Sequence, residues 1–118
     1  MGKGKLVLIT PAYARENARL HVVDPMFGAE GHLWAYLIAG IAAVEGCERV
    51  LDYGCGKGSL ANALANVMHV AEYDPAIPGK DKHPARADFV VCGDVLEHIE
   101  PECLDAVLDD LCGLARRA

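Results

Sequence analysis

Three glycines at alternate positions, Gly54, Gly56 and Gly58, separate a short apolar run from a helical pattern. Glycine has no Cβ, so its backbone can turn sharply and approach a ligand closely. A helix that begins directly after such a turn offers free N–H groups and a partial positive charge to an anionic group. The run from Val50 to Leu60 therefore predicts a strand, a glycine turn that holds a ligand, and the start of a helix. The alternative is a glycine turn that binds nothing.

Two ligand classes use this geometry, and the spacing of the glycines separates them. The dinucleotide fingerprint G-x-G-x-x-G places its third glycine three residues after the second. Here Gly58 follows Gly56 by only two residues, and Ser59 occupies the fingerprint position. The spacing disfavours NAD, which stays as a weaker alternative.

An acidic residue closes the next predicted strand. Asp74 lies about 20 residues beyond Gly54, where a carboxylate can accept both hydroxyls of a ribose. Glu72 lies two residues earlier, on the same face of the strand, and is the reserve candidate. The alternative is that Asp74 is a solvated acid at the end of a strand.

A third group, Asp94-Val-Leu-Glu-His98, follows another predicted strand directly. Ligands and catalytic groups gather past the carboxyl ends of strands in open α/β sheets. His98 could act as a general base toward an acceptor hydroxyl or amine. Alternatively, Asp94, Glu97 and His98 together could hold Mg, Mn, Fe or Zn. The third interpretation is structural, with the side chains capping a helix and fixing the loop.

The elements that must position these groups alternate between helix and strand. Helices are predicted at Pro11–His21, His32–Glu45, Ser59–Met68 and from Pro101 onward, and strands at Arg49–Tyr53, His69–Asp74 and Asp88–Cys92. This alternation implies a parallel sheet with right-handed crossovers. The strand Asp88–Cys92 is the most apolar, which favours a central position. Trp34 is expected in the core, as are Leu104, Val107, Leu108, Leu111 and Leu114 on the last helix.

Taken together, the motifs resemble those of class I S-adenosylmethionine-dependent methyltransferases, and the chain is similar to small bacterial and bacteriophage members. The run Asp52–Gly58 matches their first motif, an acid followed by G-x-G-x-G, and Ala87–Ile99 resembles their fourth strand and the turn beneath the cofactor. The resemblance implies that S-adenosylmethionine contacts the first motif and Asp74 or Glu72, with Asp94 at the turn below. The first-motif residues are Asp52, Tyr53, Gly54, Cys55, Gly56 and Gly58.

The resemblance implies a reduced Rossmann-like three-layer α/β fold whose parallel strands follow the family order 2-1-4. Only Pro75–Ala87 separates strands two and four, so strand three is expected to be missing. The loop Lys80–His83 is then expected to contact the adenine instead. The resemblance also implies transfer of a methyl group to an oxygen or nitrogen atom, but it does not identify the acceptor molecule. Because the chain ends after the helix that follows strand four, the alternative function is a non-catalytic cofactor-binding or regulatory remnant without a complete acceptor pocket.

The same ending leaves strand four as an expected sheet edge, and such an edge pairs with whatever strand it meets. Self-association is the favoured outcome, because two-fold dimers are the commonest assemblies. A second polypeptide that completes the sheet is an alternative. The other alternative is that Leu6–Thr10 folds back as a substitute strand. Its sequence is compatible with a short strand and with an ordered arm.

The length and composition of the chain limit its domain count, its partners and its cellular compartment. With 118 residues, 53% of them hydrophobic and 24% charged, the chain predicts one domain, comprising an arm and helix over 1–31 and a core over 32–118. The net charge of −6 and the lack of a basic run do not indicate nucleic acid as a partner. The longest apolar stretch, Leu33–Val44, is shorter than the ~20 residues that span a bilayer. Five cysteines without a CxxC pair and no signal peptide indicate reduced thiols in the cytoplasm and no structural zinc.

Overall fold

The computed structural model describes residues 7–23, 31–93 and 95–116 of the chain. In these ranges three parallel strands, β1 Val50–Tyr53, β2 Val70–Tyr73 and β3 Phe89–Val91, form one sheet in the order β2-β1-β3. The helices are α1 Pro11–Val23, α2 Ala35–Glu45, α3 Ser59–Ala63 and α4 Leu104–Leu114, with 3₁₀ turns at Gly31–Trp34, Leu96–His98 and Pro101–Cys103. None of the helices so described is long and apolar enough to cross a membrane. The α/β class with a short parallel sheet is confirmed, and the strand numbered four in the methyltransferase order is β3.

The central strand β1 organises the three layers, because its side chains alternate between two helical faces. Val50 is fully buried on one face, in a cluster with residues of α2 and α3. Leu51 and Tyr53 point to the other face, where Val107 and Leu114 of α4 cover them. The sheet is therefore sandwiched between α2 and α3 on one side and α4 on the other.

The apolar strand β3 lies at the edge of the sheet, so the expectation of a central position is wrong. All four residues of β1 are buried, whereas Phe89, Val90 and Val91 are only half-buried. The reason is topological: β1 pairs on both sides, with Val50 opposite Val70 of β2 and Phe89 of β3. In the described part of the chain, no further strand pairs with β3 on the side away from β1. An isolated bridge joins Ala87, just before β3, to Ala115.

Several local expectations also need correction. Helix α3 ends at Ala63 rather than Met68, although Leu64 just beyond it is still buried. Trp34 is 44% exposed and lies outside the core. Residues 7–10 form no strand; they are an arm whose Leu8 packs on the α4 side of the sheet. The substitute-strand alternative therefore has no support in residues 7–10, and Leu6 lies outside the described residues.

The inward face of α4 contains an acid that the apolar pattern did not predict. Leu108 is 41% exposed, while Asp110 is 7% exposed and accepts two hydrogen bonds. Its Oδ2 accepts from the Tyr53 hydroxyl at 2.8 Å, and its Oδ1 lies 2.7 Å from Nε2 of His83. His83 belongs to the connection between β2 and β3, which contains no strand in the described residues, as the sequence predicts. Asp110 therefore ties this shortened connection to α4 and to the end of β1.

Replacing Asp110 with Ala should lower the free energy of unfolding by about 1–3 kcal/mol, because the buried Tyr53 hydroxyl would lose its acceptor. Urea unfolding of Asp110→Ala measures this directly. The control is Asp109→Ala, which removes the neighbouring exposed carboxylate of the same helix. Equal stability of the two variants would contradict the role given to Asp110.

Candidate functional site

A cavity of about 480 Å³ opens at the carboxyl ends of the three strands. This volume lies within the range of about 300 to 1,000 Å³ that is usual for small-molecule sites. Its inner part is formed by Asp52, the glycine turn and Asp74. Its outer part is formed by the arm, α1, Trp34 and the turn that follows β3. The strand ends and the two flanking segments thus enclose one site.

The glycine turn after β1 depends on left-handed backbone at its alternate positions. Gly54, Gly56 and Gly58 have φ values of 83°, 55° and 81°. A Cβ on Gly54 would lie 2.5 Å from Cγ2 of Val95, and one on Gly58 would lie 2.5 Å from Oε2 of Glu72. The N–H groups of Gly54 and Cys55 both donate to the carbonyl of Tyr73, at 2.7 and 3.1 Å. The alternating glycines therefore let the turn pack against β2 and the segment after β3 while its backbone lines the cavity.

The carboxylate of Asp74 holds the turn in place. Its Oδ2 accepts a hydrogen bond from Gly56 N–H and its Oδ1 one from Ala76 N–H, both at 3.0 Å. Asp74 is 8% exposed and lines the cavity. Each carboxylate oxygen has a second lone pair, so Asp74 can still accept hydrogen bonds from a ligand. The sequence predicted the ligand contact and missed this support of the turn.

The reserve candidate Glu72 lies beneath the turn and does not line the cavity. Its Oε2 is 3.2 Å from Nζ of Lys80, which also donates to the carbonyl of Gly56 at 3.4 Å. Lys80 is therefore engaged below the turn, and His83 is bound to Asp110; neither lines the cavity. The expectation that Lys80–His83 forms an adenine contact is not supported by this placement. Pro75 and Ala76 line that side instead.

Asp52 is an acid on the buried central strand, 6% exposed and lining the cavity. Burial raises the pKa of Asp52 to about 7, and the negative charges of Glu72 and Asp74 contribute, while Lys80 opposes them. Asp52 and Asp74 thus line the inner end of the site, and Glu72 and Lys80 lie beneath it. A cationic ligand would relieve this repulsion, and an anionic ligand would increase it.

Cysteine chemistry does not fit the site. Cys55 lies inside the glycine turn, and burial raises the pKa of its thiol well above the ordinary value. Burial also raises the pKa of Cys92, at the end of β3, to about 11. Because the thiolate is the nucleophile, both thiols are unreactive near neutral pH.

The group after β3 is only partly brought to the cavity. Asp94 lies outside the described residues. Glu97 and His98 are both exposed in the 3₁₀ turn Leu96–His98, but only His98 lines the cavity. In residues 7–23, 31–93 and 95–116, no three His, Cys, Asp or Glu side chains are grouped so that they could hold a metal ion. The geometry therefore places the imidazole, and not Glu97, at the site.

Sequence reasoning missed the groups that form the outer wall of the cavity. Tyr13, Asn17 and His21 line it from α1, Trp34 lines it from the turn before α2, and Glu100 lines it beside His98. The four-residue spacing of the three α1 side chains could have indicated a shared role, because it places them on one helix face. Nothing in the sequence marked Glu100, whose role depends on contact with a segment 90 residues away.

Comparison with known protein families gives a match that covers most of the chain. Residues 29–115 match the family described as a methyltransferase domain. No curated protein and no solved structure matches the chain. The matched range contains the whole sheet, the glycine turn and α4, and it begins after α1 ends.

Because burial and neighbouring carboxylates raise the pKa of Asp52 to about 7, this group favours the folded state only while it is protonated. Its unfolded pKa is near 3.9, so the contribution of Asp52 to the stability of the wild-type chain should fall as the pH rises from about 4 to about 7. The variant Asp52→Asn should escape this loss and exceed the wild type at about pH 8 by up to roughly 4 kcal/mol.

Thermal unfolding at several pH values measures this difference. Asp109→Asn, on the exposed face of α4, is the matched control and should follow the wild-type pH profile. A constant difference between Asp52→Asn and the wild type at all pH values would show that Asp52 does not titrate in this range.

Proposed function

We propose, from the premise that the chain belongs to the methyltransferase family, that it binds S-adenosylmethionine in this cavity and transfers the methyl group to an oxygen or nitrogen acceptor. The observation that carries the proposal is the acidic end of the cavity, where Asp52 and Asp74 flank a turn of three left-handed glycines. The carboxylates of Asp52 and Asp74 suit a cationic group. The N–H groups of Gly54, Cys55, Gly56 and Gly58 already donate to acceptors within the protein.

The residues present fit this cofactor. S-adenosylmethionine carries a sulfonium and an ammonium against a single carboxylate, so it brings a net positive charge to the end of the cavity where Asp52 is destabilised as an anion. Asp74 lies at the end of β2 and keeps lone pairs for the ribose hydroxyls. We assign the adenine side to Pro75 and Ala76, because both line the cavity next to Asp74.

When bound, the cofactor supplies a methyl carbon whose bond to sulfur breaks as the acceptor's lone pair bonds to that carbon, leaving a neutral thioether. The contribution of the chain is to hold the acceptor in line and to keep water away. His98, on the cavity wall past β3, is placed to take the proton that an O–H or N–H acceptor gives up. Its position favours the general-base interpretation over a metal site, since Glu97 does not line the cavity.

The cofactor assignment predicts a large loss of affinity in Asp74→Ala. Removal of the carboxylate deletes the ribose acceptor and releases the Gly56 N–H that it holds, which together should weaken binding by roughly 2–4 kcal/mol. Calorimetric titration with S-adenosylmethionine and with its demethylated product gives the value. Asp81→Ala, an exposed acid of the same loop, should bind like the wild type. Unchanged affinity in Asp74→Ala would refute the assignment.

The base assignment predicts a different pattern in His98→Ala. Cofactor affinity should stay near the wild-type value, while turnover falls by about 10²- to 10⁴-fold, the usual contribution of a general base. Once an acceptor is in hand, turnover is measured with labelled S-adenosylmethionine, with and without a chelator. Loss of activity on chelation and its recovery with Mg or Mn would instead support the metal alternative. Cofactor binding without any turnover would favour the regulatory remnant.

Self-association of the chain is a further part of this proposal. The outer face of α2 is apolar and exposed, with Tyr36 at 95% and Val44 at 84% exposure. On β3, the side opposite β1 is open to pairing in the described part of the chain, apart from the bridge at Ala87. Light scattering over a concentration series should show a mass above that of one chain, and Val44→Glu should lower it if α2 is the contact. A monomer at every concentration would contradict this.

A further inference from the structure

Helix α1 is unusual because none of its side chains belongs to the core. Its 13 residues contain no buried position. Tyr13, Asn17 and His21 nevertheless line the cavity, and their four-residue spacing places all three on one face. A helix that buries nothing in the core and turns one polar and aromatic face to a cavity contributes little to folding. Its position is better explained by what enters the cavity.

Contacts at both ends fasten α1 across the cavity. At its start, the N–H and the Oγ1 of Thr10 donate to the two carboxylate oxygens of Glu100, at 2.8 and 2.7 Å. Thr10 Oγ1 also accepts from Tyr13 N–H at 3.2 Å, so it caps the helix. At its other end, Nδ1 of His21 lies 3.4 Å from Nζ of Lys57, which belongs to the glycine turn. The helix therefore spans from the segment after β3 to the turn after β1.

The helix also lies outside the part of the chain that the methyltransferase family shares. The matched range begins at residue 29, after the last residue of α1. The shared domain supplies the glycine turn, Asp52 and Asp74, which form the inner end of the cavity. The wall formed by α1 is therefore supplied by a segment outside the matched range.

The chemistry of the outer cavity limits the acceptor. Aromatic and imidazole rings line the outer cavity beside aliphatic side chains; the rings are those of Tyr13, His21, Trp34 and His98. Trp34 reaches the end of β3, since a Cβ on Gly93 would lie 3.7 Å from its indole. Among the described residues that line the cavity, the charged side chains are all acidic: Asp52, Asp74 and Glu100. From the described residues that line the cavity, an anionic acceptor would meet these carboxylates and no lysine or arginine, which disfavours carboxylates, phosphates and nucleic acids.

We propose that α1 is the acceptor-selecting wall of this enzyme, and that its acceptor is a small planar molecule that carries no negative charge and presents a hydroxyl or amine. The assignment rests on the proposed function, and it extends that function to specificity. Trp34 stacks on the ring, and Tyr13 and Asn17 hydrogen-bond its polar substituents. The reacting O–H or N–H loses its proton to His98 as the new bond to the methyl carbon forms and the carbon–sulfur bond of the cofactor breaks.

The chain carries its own reporter, because Trp34 is its single tryptophan. The chain, saturated with S-adenosylhomocysteine, is titrated with three phenols that share a ring and differ in charge: para-hydroxybenzyl alcohol, tyramine and para-hydroxybenzoate. The neutral and cationic phenols should change Trp34 fluorescence saturably, and the anion should bind at least roughly tenfold more weakly. Equal binding of the anion, or no binding of any of the three, would overturn the acceptor class.

Variants of α1 test the wall itself. Tyr13→Leu and Asn17→Leu should each weaken binding of para-hydroxybenzyl alcohol by roughly tenfold, with S-adenosylhomocysteine affinity unchanged. Arg15→Ala, on the exposed face of the same helix, is the control and should behave like the wild type. Unchanged phenol binding in both Leu variants, or an equal loss of S-adenosylhomocysteine binding, would refute the assignment.

The two proposals fail separately. If the wild-type chain does not bind S-adenosylhomocysteine, the proposed function fails. The same phenol titrations on the unloaded chain and on its α1 variants then decide whether α1 forms a wall for planar ligands.

Discussion

The carboxylate of Asp74 is the interaction on which the site depends. By accepting from Gly56 and Ala76 N–H groups, it joins the turn after β1 to the loop after β2. Parallel strands bring their carboxyl ends to one edge of the sheet, but they do not fix the loops that follow. A buried carboxylate with two backbone donors does so, because both oxygens would be costly to leave unpaired. This one side chain therefore holds the two loops at the inner end of the cavity together.

The same edge concentrates negative charge. Asp52, Glu72 and Asp74 lie on adjacent strand ends, with Asp52 and Glu72 in register, and Lys80 offsets only part of the charge. Buried carboxylates that repel one another destabilise the folded chain, and stability is commonly lost at sites that bind ligands. A cationic ligand would turn this repulsion into attraction. The grouping of these acids at the open edge of the sheet, with Asp52 and Asp74 lining the cavity, is the observation that favours a binding site over a structural cleft.

The fold compensates for a short connection between β2 and β3. Where the usual methyltransferase fold has a third strand and its helices, this chain has a loop, as its sequence predicts. Asp110 of α4 holds that loop through His83 and also accepts from the Tyr53 hydroxyl. On the other side of the site, Glu100 holds α1 through Thr10. In both ties, each of the two carboxylate oxygens has a hydrogen-bond partner that is distant in sequence. Polar contacts here do what extra strands and apolar burial do in a larger domain.

Sequence by itself determined the local elements and the inner site. The short strand pattern of Val50–Tyr53, the alternation of helix and strand, and the glycine spacing are local properties, and backbone sterics leave them few solutions. Only the tertiary structure decided which acidic side chains lie close together and which side chains are buried. The apolar composition of β3 wrongly predicted a central strand. The order of strands depends on the crossover connections and not on composition, and it puts β3 at the edge. The partners of Asp110 and Glu100, and the position of α1 over the cavity, depend on contacts between residues 27 to 90 positions apart, which no local pattern encodes.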